Sequence, residues 1–361
     1  MIVSSLEVDN FRNFNHFTVQ FAPRLNLISG DNASGKTSLL EALYFLGRAR
    51  SFRTRRLQEL IRTEQDAFRI VATVNAPDGR RIIVGMQRSS REFIARIDGE
   101  PVQSLAELAL QMPTLLLNPN SHRLLEDGPR QRRRFMDWGL FHSEPAFLPA
   151  WKRYGAVLRN RNAALRAHAD DRIINAWDEE WVSAADVLDR LRKGFCETLK
   201  ATLKPLIEEI QGKVGLTLEY RPGWPHNRNH GLVQIIRRQR AQDRRYGYTS
   251  IGPHRADFYI ELADRPVAEY LSRGQQKLLV IALVLAQALL YRSRHDTPCL
   301  LLIDDLPAEL DSTHRARVMQ CLAGIEAQLF ITAIEPGAVD TSAWGDPYLF
   351  RIEQGNLIQV V

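Results

Sequence analysis

Apolar and polar residues alternate over two stretches near the start of the chain, residues 1–28 and residues 68–97. A period of two puts every second side chain on the same face, which is typical of β-strands that bury one face. Asn10 to Asn13 interrupt the first stretch as a polar turn, so that residues 1–28 are predicted to form a hairpin. Asp78-Gly79 and Asp98-Gly99 mark further tight turns between predicted strands.

Short, mostly apolar runs predict the buried elements. Residues 25–28, 112–117 and 300–303 have the length of a fully buried strand. A helix is predicted over residues 38–46, where leucines recur at helical spacing, and a longer apolar helix over residues 278–290. Buried strands that alternate with apolar helices indicate an α/β fold.

The pattern changes in the middle of the chain. From about Ser121 to Arg245 it is helical and polar, and the heptad pattern is too short for an extended coiled coil. From Tyr248 onward strands and helices alternate again. The simplest interpretation is one α/β domain, formed by residues 1–120 and 248–361, that is interrupted by a mostly helical insert, residues 121–247.

The composition indicates what kind of protein this is. The chain has 361 residues, 45% of them hydrophobic and 25% charged, as in an ordinary globular protein. Its three cysteines (Cys196, Cys299 and Cys321) have no metal-site spacing and cannot all pair, which indicates reduced thiols of a cytoplasmic protein. The start of the chain does not resemble a signal peptide, and we expect no membrane association.

Gly30 to Thr37 match the phosphate loop G-x-x-x-x-G-K-[ST] completely, between a predicted strand and a predicted helix. Backbone N–H groups at the start of a helix bind phosphate, and glycine lets the backbone approach it closely. Lys36 is expected to bind the β- and γ-phosphates of ATP, and Thr37 to bind Mg²⁺. The predicted nucleotide-binding residues are Gly30, Asp31, Asn32, Ala33, Ser34, Gly35, Lys36, Thr37 and Ser38. Arg12 either reaches the nucleotide or is solvated.

Two carboxylates follow the strand predicted over residues 300–303. Ligands of parallel sheets bind at the carboxyl ends of the strands. Asp304 is therefore predicted to hold Mg²⁺ and Asp305 to position the attacking water, with Lys36 as the second catalytic residue. The alternative is a strand that simply ends in an acidic turn.

Leu271-Ser-Arg-Gly-Gln-Gln-Lys277 opens the long apolar helix. Ser272 and Gln275 could be only a local capping box. The segment also resembles the signature motif of the ABC ATPase superfamily. That resemblance implies an ABC-type ATPase head with the phosphate-loop fold, and an ATP-dependent homodimer. In it, Ser272, Arg273, Gly274 and Gln275 would contact the nucleotide of the partner, and Asp311 would take the D-loop position.

The number of residues between Lys36 and Ser272 is larger than in a transporter ATPase subunit. It is far smaller than in chromosome-maintenance proteins, which have long coiled coils. The signature segment, the segment from Gly252 to Asp257, the turn from Asn10 to Asn13 and the Asp304-Asp305 pair together resemble the RecF family over essentially the whole chain. The resemblance implies binding of duplex DNA next to single-strand gaps and slow DNA-dependent ATP hydrolysis. It also implies cooperation with RecR and RecO in loading RecA during recombinational repair, replication restart and the SOS response to DNA damage.

Three positions depart from the pattern of such ATPases. Pro119-Asn120-Ser121 stand where the family usually has Pro-Glu-Asp, so that no Mg²⁺ ligand is assigned there. Asp305 replaces the catalytic glutamate, and Thr332-Ala333 stand where many ABC ATPases have a histidine. A shorter base and no histidine favour slow turnover, which suits a timer rather than a motor.

The net charge is +6, which suits a polyanionic partner. Arginines cluster in three segments, and their phosphate contacts would be independent of sequence. The residues predicted to bind double-stranded DNA are Arg53, Arg132, Arg133, Arg134, Arg237 and Arg238. For each cluster the alternative is a solvated face balanced by nearby acids. His254 and Arg255 either face nucleotide or DNA, or pin the insert by hydrogen bonds.

Other classes of protein explain less of the sequence. A transporter-coupled ATPase subunit would not need a large arginine-rich insert, and a chromosome organiser would need a coiled-coil arm. In an adenylate-kinase-like enzyme the signature segment would have no role.

Overall fold

Two β-sheets and the helices packed on them form the first of two compact units in the computed structural model, which describes residues 1–212, 215–225 and 231–360. The described part of this unit comprises residues 1–122, 206–212 and 273–360, and that of the second unit residues 123–205, 215–225 and 231–272. The first unit is therefore assembled from segments that are distant in sequence.

The elements of residues 1–122 are β1 (Ile2–Phe11), β2 (Phe14–Gln20), β3 (Leu25–Ser29), α1 (Lys36–Arg48), β4 (Ala67–Asn75), β5 (Arg81–Ser89), β6 (Phe93–Ile97), β7 (Glu100–Pro101), α2 (Leu105–Gln111) and β8 (Thr114–Leu117). Those of residues 123–272 are α3 (Arg123–Glu126), α4 (Pro129–Ser143), α5 (Phe147–Arg166), α6 (Asp171–Gln211), β9 (Leu216–Arg221), α7 (Leu232–Tyr246), β10 (Asp257–Leu262), β11 (Arg265–Pro266) and α8 (Val267–Tyr270). The rest are α9 (Arg273–Arg292), β12 (Leu300–Ile303), α10 (Leu306–Glu309), α11 (Ser312–Gly324), β13 (Gln328–Ala333), β14 (Tyr348–Glu353) and β15 (Asn356–Gln359).

An antiparallel sheet in the order β2-β1-β4-β5-β6-β7 is formed by the alternating stretches. In the predicted hairpin, Leu6 pairs with Val19 and Val8 with Phe17, and all four side chains are buried. The apolar side of this sheet faces the core, as the period of two predicts.

A second sheet has the order β15-β14-β3-β13-β12-β8. From β14 to β8 all neighbours are parallel, and only β15 is antiparallel. Strands β3, β12 and β13 are buried on both faces, which explains why most of their residues are apolar. Because the strands are parallel, the segments that follow β3, β12 and β13 meet at one edge of the sheet.

Helices α1 and α9 are the core helices of this unit. Apolar side chains of α1 belong to one hydrophobic cluster with both sheets. Helix α9 is long and apolar enough to cross a membrane, but 72% of the relevant window is buried inside the protein, which is the pattern of a core helix.

The second unit is mostly helical and contains a small antiparallel sheet, β11-β10-β9. The sequence interpretation placed residues 248–272 with the α/β domain. The structure places them with the helical unit instead. Strand β10 pairs with β9 over its whole length, and a strand belongs to the sheet that satisfies its backbone hydrogen bonds.

Candidate nucleotide-binding site

The phosphate loop joins β3 to α1. Gly30 and Gly35 have φ angles of 146° and 126°, which favour glycine. A Cβ atom on Gly30 would lie 2.4 Å from the carbonyl oxygen of Ile352, and one on Gly35 would lie 2.7 Å from Nδ2 of Asn13. Backbone geometry and close packing therefore both require the two glycines of the motif.

Lys36 is buried and its ammonium group lies over the loop. Its Nζ donates to the carbonyl oxygens of Gly30 at 2.6 Å and Asp31 at 2.8 Å. Burial lowers the pKa of Lys36, whereas the charges of Asp305, Asp304 and Asp31 raise it. The ammonium therefore lies in an acidic setting at the loop, where it could exchange backbone carbonyls for phosphate oxygens.

Asp304 follows β12 and is surrounded by hydroxyl groups. Its Oδ1 accepts hydrogen bonds from Thr37 at 3.1 Å and from Thr332 at 2.9 Å. Thr332 also accepts from the backbone N–H of Asp305 at 2.8 Å. Burial raises the pKa of Asp304, and the two hydroxyl groups act in the opposite direction.

The residues predicted to hold Mg²⁺ fit such an ion. The Thr37 hydroxyl and the Asp304 carboxylate are adjacent oxygen donors of the kind that Mg²⁺ prefers. Ser34 Oγ, in the phosphate loop, is buried and has no hydrogen-bond partner within the described part of the chain. A phosphate oxygen would supply that partner.

Arg12 and Arg53 form a cationic wall beside the loop. Arg12 makes a bidentate ion pair with the fully buried Glu41 at 2.8 and 2.9 Å, and it donates to the carbonyl oxygen of Glu59. Nη1 of Arg53 lies 3.5 Å from the same carboxylate. Arg12 is thus held at the site rather than merely solvated. Arg53 also lines the cavity beside the loop, and its predicted contact with DNA stays a prediction.

The loop, the wall and the two aspartates enclose a cavity of about 920 Å³. Lys36, Thr37, Asp304 and Asp305 lie at one part of it, and residues 59 and 61–65 supply further lining. The volume lies at the upper end of the range of small-molecule sites, which suits a ligand the size of a nucleoside triphosphate.

The signature residues lie elsewhere. Ser272 is exposed just before α9, and the exposed Arg273, Gly274 and Gln275 form its first turn. These three do not line the cavity among the described residues. Their predicted contact with a partner's nucleotide stays a prediction. Asp311 caps α11, because its carboxylate accepts from the backbone N–H of His314 at 2.9 Å.

The predicted DNA-binding arginines of α4 have internal contacts. Arg132 makes a bidentate ion pair with the buried Asp257 at 2.8 Å, and these hydrogen bonds raise its pKa. Arg133 donates to the carbonyl oxygen of Ala256 at 2.7 Å. Both side chains therefore tie α4 to the segment around β10, and their predicted contact with DNA stays a prediction. Arg134 is exposed.

Arg237 and Arg238 are exposed on α7. Glu179 lies 3.9 Å from Arg237, the long distance of a weak surface ion pair. The contacts of His254 fit the alternative in which it holds the insert by hydrogen bonds. Its ring bonds the Tyr154 hydroxyl at 2.7 Å and the Thr249 carbonyl at 3.0 Å. Arg255 is exposed.

Sequence reasoning missed Glu41, Asn13 and the role of Thr332. Glu41 is a single carboxylate in a helix that is apolar on nearly every side, and that isolation was a readable signal. Asn13 donates to the Ser34 carbonyl. From the sequence, Thr332 was identified only as a residue at the position where many ABC ATPases have a histidine.

The fold and the site define an α/β ATPase head of the ABC type with a phosphate loop. The family model of the RecF/RecN/SMC N terminal domain matches residues 2–348. A solved structure of an Smc head bound to the C-winged helix domain of ScpA has the same fold, with a TM-score of 0.62 at 14% identity over 100% of this chain and 98% of that one.

Full-length relatives are more specific. The DNA replication and repair proteins RecF of Thioalkalivibrio sulfidiphilus and Pseudomonas aeruginosa PAO1 are 42% and 40% identical, over 99% of this chain and 99% and 98% of theirs. A solved structure of the recombination mediator protein RecF-ATP in the RecFOR pathway matches with a TM-score of 0.85 at 25% identity, over 100% of this chain and 98% of that one. The chain belongs to the RecF family, and both the resemblance and the fold class predicted from the sequence are confirmed.

Proposed function

We propose that this protein is an ATP-dependent DNA-binding protein of DNA replication and repair. ATP-Mg²⁺ would join two copies into a homodimer that clamps duplex DNA next to a single-strand gap, in the cytoplasm. Slow DNA-dependent hydrolysis would then release the clamp and so act as a timer. In this role the protein would work with RecO and RecR to promote loading of RecA.

One observation carries the proposal. Thr37, Asp304 and Thr332 are joined by hydrogen bonds directly beside Lys36 and Asp305. This arrangement brings together a phosphate-binding ammonium, oxygen ligands for a metal and a second carboxylate, which are the groups required for phosphoryl transfer to water. When bound, Mg²⁺ would neutralise charge on the phosphates, held by Thr37 and Asp304.

The same residues support slow turnover. Asp305 directly precedes α10 with a left-handed backbone (φ 57°), and its short side chain would have to orient the attacking water. Thr332 already uses its hydroxyl between Asp304 and the N–H of Asp305. It therefore acts as a positioning residue for the two aspartates, and a hydroxyl at neutral pH is a poor proton acceptor.

Sedimentation velocity with and without ATP-Mg²⁺ and a gapped duplex tests the proposal. The wild type should dimerise with ATP, more strongly with the gapped duplex. Lys36→Met should remain monomeric, since it lacks the ammonium that binds phosphate. Ser272→Arg is the matched control: it should bind ATP like the wild type and yet remain monomeric, because only the contact with the partner's nucleotide is blocked.

A wild type that is monomeric in every condition would contradict the clamp. If Ser272→Arg dimerised normally, the role of the signature residues in trans would be wrong while the ATP site stood. Steady-state turnover should lie well below about ten per second, a typical enzyme value. Turnover at or above that value would contradict the timer.

A further inference from the structure

Helix α7 presents one fully exposed polar face. Arg237 and Arg238 lie on it, and its other members follow at helical spacing. The exposed residues of this face are Gln234, Arg237, Arg238, Ala241, Gln242 and Arg245. The face is about 16 Å long at 1.5 Å per residue. We refer to these six residues as the α7 face.

Polar contacts outside this face hold α7 in place. Asp243 is fully buried and accepts from Arg161 at 2.8 Å. Arg240 donates to Asp178 at 2.7 Å, and Arg244 donates to Asp171 at 2.8 Å. Arg240 and Arg244 thereby tie α7 to α6, while Arg237, Arg238 and Arg245 lie on the exposed α7 face.

A stacked pair of tyrosines follows directly. Tyr246 and Tyr248 have ring centroids 5.6 Å apart and an interplanar angle of 17°, and they are 48% and 41% exposed. Gly247 between them has φ 71°, and a Cβ atom there would lie 3.0 Å from Arg166. Large aromatic side chains are rarely exposed as a stacked pair unless the surface binds something.

The pair is rigidly mounted. Asp243 precedes it and accepts from the backbone N–H of Ser250 at 3.0 Å, which closes the turn around the tyrosines. Thr249 follows it, is buried, and bonds Asn162 and Arg161 at 2.7 Å. A preorganised aromatic surface loses little conformational entropy when a ligand stacks on it.

Charge identifies the ligand class. Helix α7 contains five arginines and one acid, and that acid is buried and paired. Near the α7 face, Glu179 lies 3.9 Å from Arg237. Arginines beside exposed aromatic rings are the combination that binds single-stranded nucleic acid, with phosphates on the cations and bases on the rings.

We propose that the α7 face and the Tyr246–Tyr248 pair read the junction between duplex and single-stranded DNA. The arginines of the α7 face contact the phosphate backbone, and an unpaired base at the gap extends the tyrosine stack. This inference rests on the proposed binding of gapped DNA and adds to it the element that distinguishes a gap from continuous duplex.

The test uses the full chain with ATP-Mg²⁺ and a gapped duplex that carries 2-aminopurine at successive positions of the unpaired strand. Stacking on a tyrosine quenches 2-aminopurine fluorescence, so the wild type should show quenching at one or two positions next to the junction. Tyr246→Ala with Tyr248→Ala should abolish this quenching and weaken binding of the gapped duplex roughly ten-fold. Affinity for blunt duplex should stay within about two-fold, because the arginines remain.

Three further variants make the result specific. Tyr246→Phe with Tyr248→Phe should keep the quenching, since stacking needs only the ring. Trp151→Ala removes another exposed aromatic side chain, 48% exposed, and should leave binding unchanged. Replacing Arg237, Arg238 and Arg245 by alanine should weaken gapped and blunt duplex equally and lower the salt slope by about three.

Failure of this inference can be distinguished from failure of the proposed function. If the wild type binds no duplex with ATP, the proposed function is wrong, and this inference falls with it. If the wild type binds gapped duplex but the double alanine variant shows the same quenching and affinity, only the inference is overturned. Unchanged ATP affinity and thermal unfolding of the variants would exclude misfolding as the cause.

Discussion

Ser34 shows at the scale of one residue how the phosphate loop is held. Its carbonyl oxygen accepts from Asn13 Nδ2 at 2.9 Å and from the backbone N–H of Gly355 at 3.1 Å. The two donors come from the turn after β1 and the turn after β14. The loop conformation is thus fixed from outside the motif, by groups near opposite ends of the described chain.

Asn13→Ala should therefore weaken ATP binding. Loss of one hydrogen bond of about 1 kcal/mol corresponds to a decrease in affinity of roughly five-fold. Titration with a fluorescent ATP analogue measures it. Asn15→Ala is the control, because Asn15 is exposed and its amide oxygen accepts only a long hydrogen bond, from Arg62 at 3.4 Å. Equal affinities of the two variants would contradict a role for Asn13 in holding the loop.

His254 predicts a dependence of stability on pH. Burial lowers its pKa from 6.5 to about 4, so the folded protein binds this proton less readily than the unfolded chain does. Its contribution is complete above pH 6.5 and is lost as the pH falls from 6.5 towards 4. Urea unfolding at several pH values should show this loss in the wild type and a smaller one in His254→Gln. The same pH profile in both proteins would rule His254 out as its source.

Local motifs made some residues predictable and long-range pairing hid others. Lys36, Thr37 and Asp304 could be assigned because the phosphate loop and the strand end each fit within a few residues. Arg132 could not, since its partner Asp257 is 125 positions away and charge alone does not reveal pairing. The contact of Arg53 was hidden for the same reason, because the buried carboxylate that it approaches lies on another element.

Among the elements, α5, α6 and α7 are joined by buried charges. Arg161, on α5, is fully buried and pairs with Asp178 on α6 and Asp243 on α7, both at 2.8 Å. One cation therefore compensates two buried carboxylates, with help from Arg240 at Asp178. Removal of that cation would leave charge that the interior solvates poorly.

Arg161→Leu should destabilise the helical unit by about 3–5 kcal/mol, since it breaks buried ion pairs from one side. Arg153→Leu is the matched control on the same helix. Its pair with Glu180 is half-exposed, and such pairs contribute only about 0–1 kcal/mol. Urea unfolding followed by circular dichroism gives both values. Similar effects of the two substitutions would mean that the buried network contributes little to stability.

The period of the hydrophobic pattern predicted which segments are strands and which are helices. It did not predict which sheet each strand belongs to. The strand at residues 257–262 has an alternating pattern that fits either unit, and only its pairing with β9 assigns it. The 41-residue length of α6 was not foreseen either, because Pro205 and polar residues interrupt any regular heptad.

At the scale of the whole molecule, the insertion of one unit within the other was readable from the change in composition. The boundaries were less so, because they fall within continuous secondary structure: α6 ends in residues assigned to the first unit. The net charge predicted a polyanionic partner, but it did not indicate which arginines would contact that partner.

The order of strands in the second sheet has a consequence for synthesis on the ribosome. Strand β3, which carries the phosphate loop, is hydrogen-bonded to β13 and β14 and to no earlier strand. Translation therefore supplies the two neighbours of β3 only after residues 123–272, which contain the helical unit, have been synthesised. Until then the nascent chain contains a complete phosphate-loop sequence without the sheet that shapes it. Nucleotide binding is thereby reserved for chains whose synthesis has passed β14.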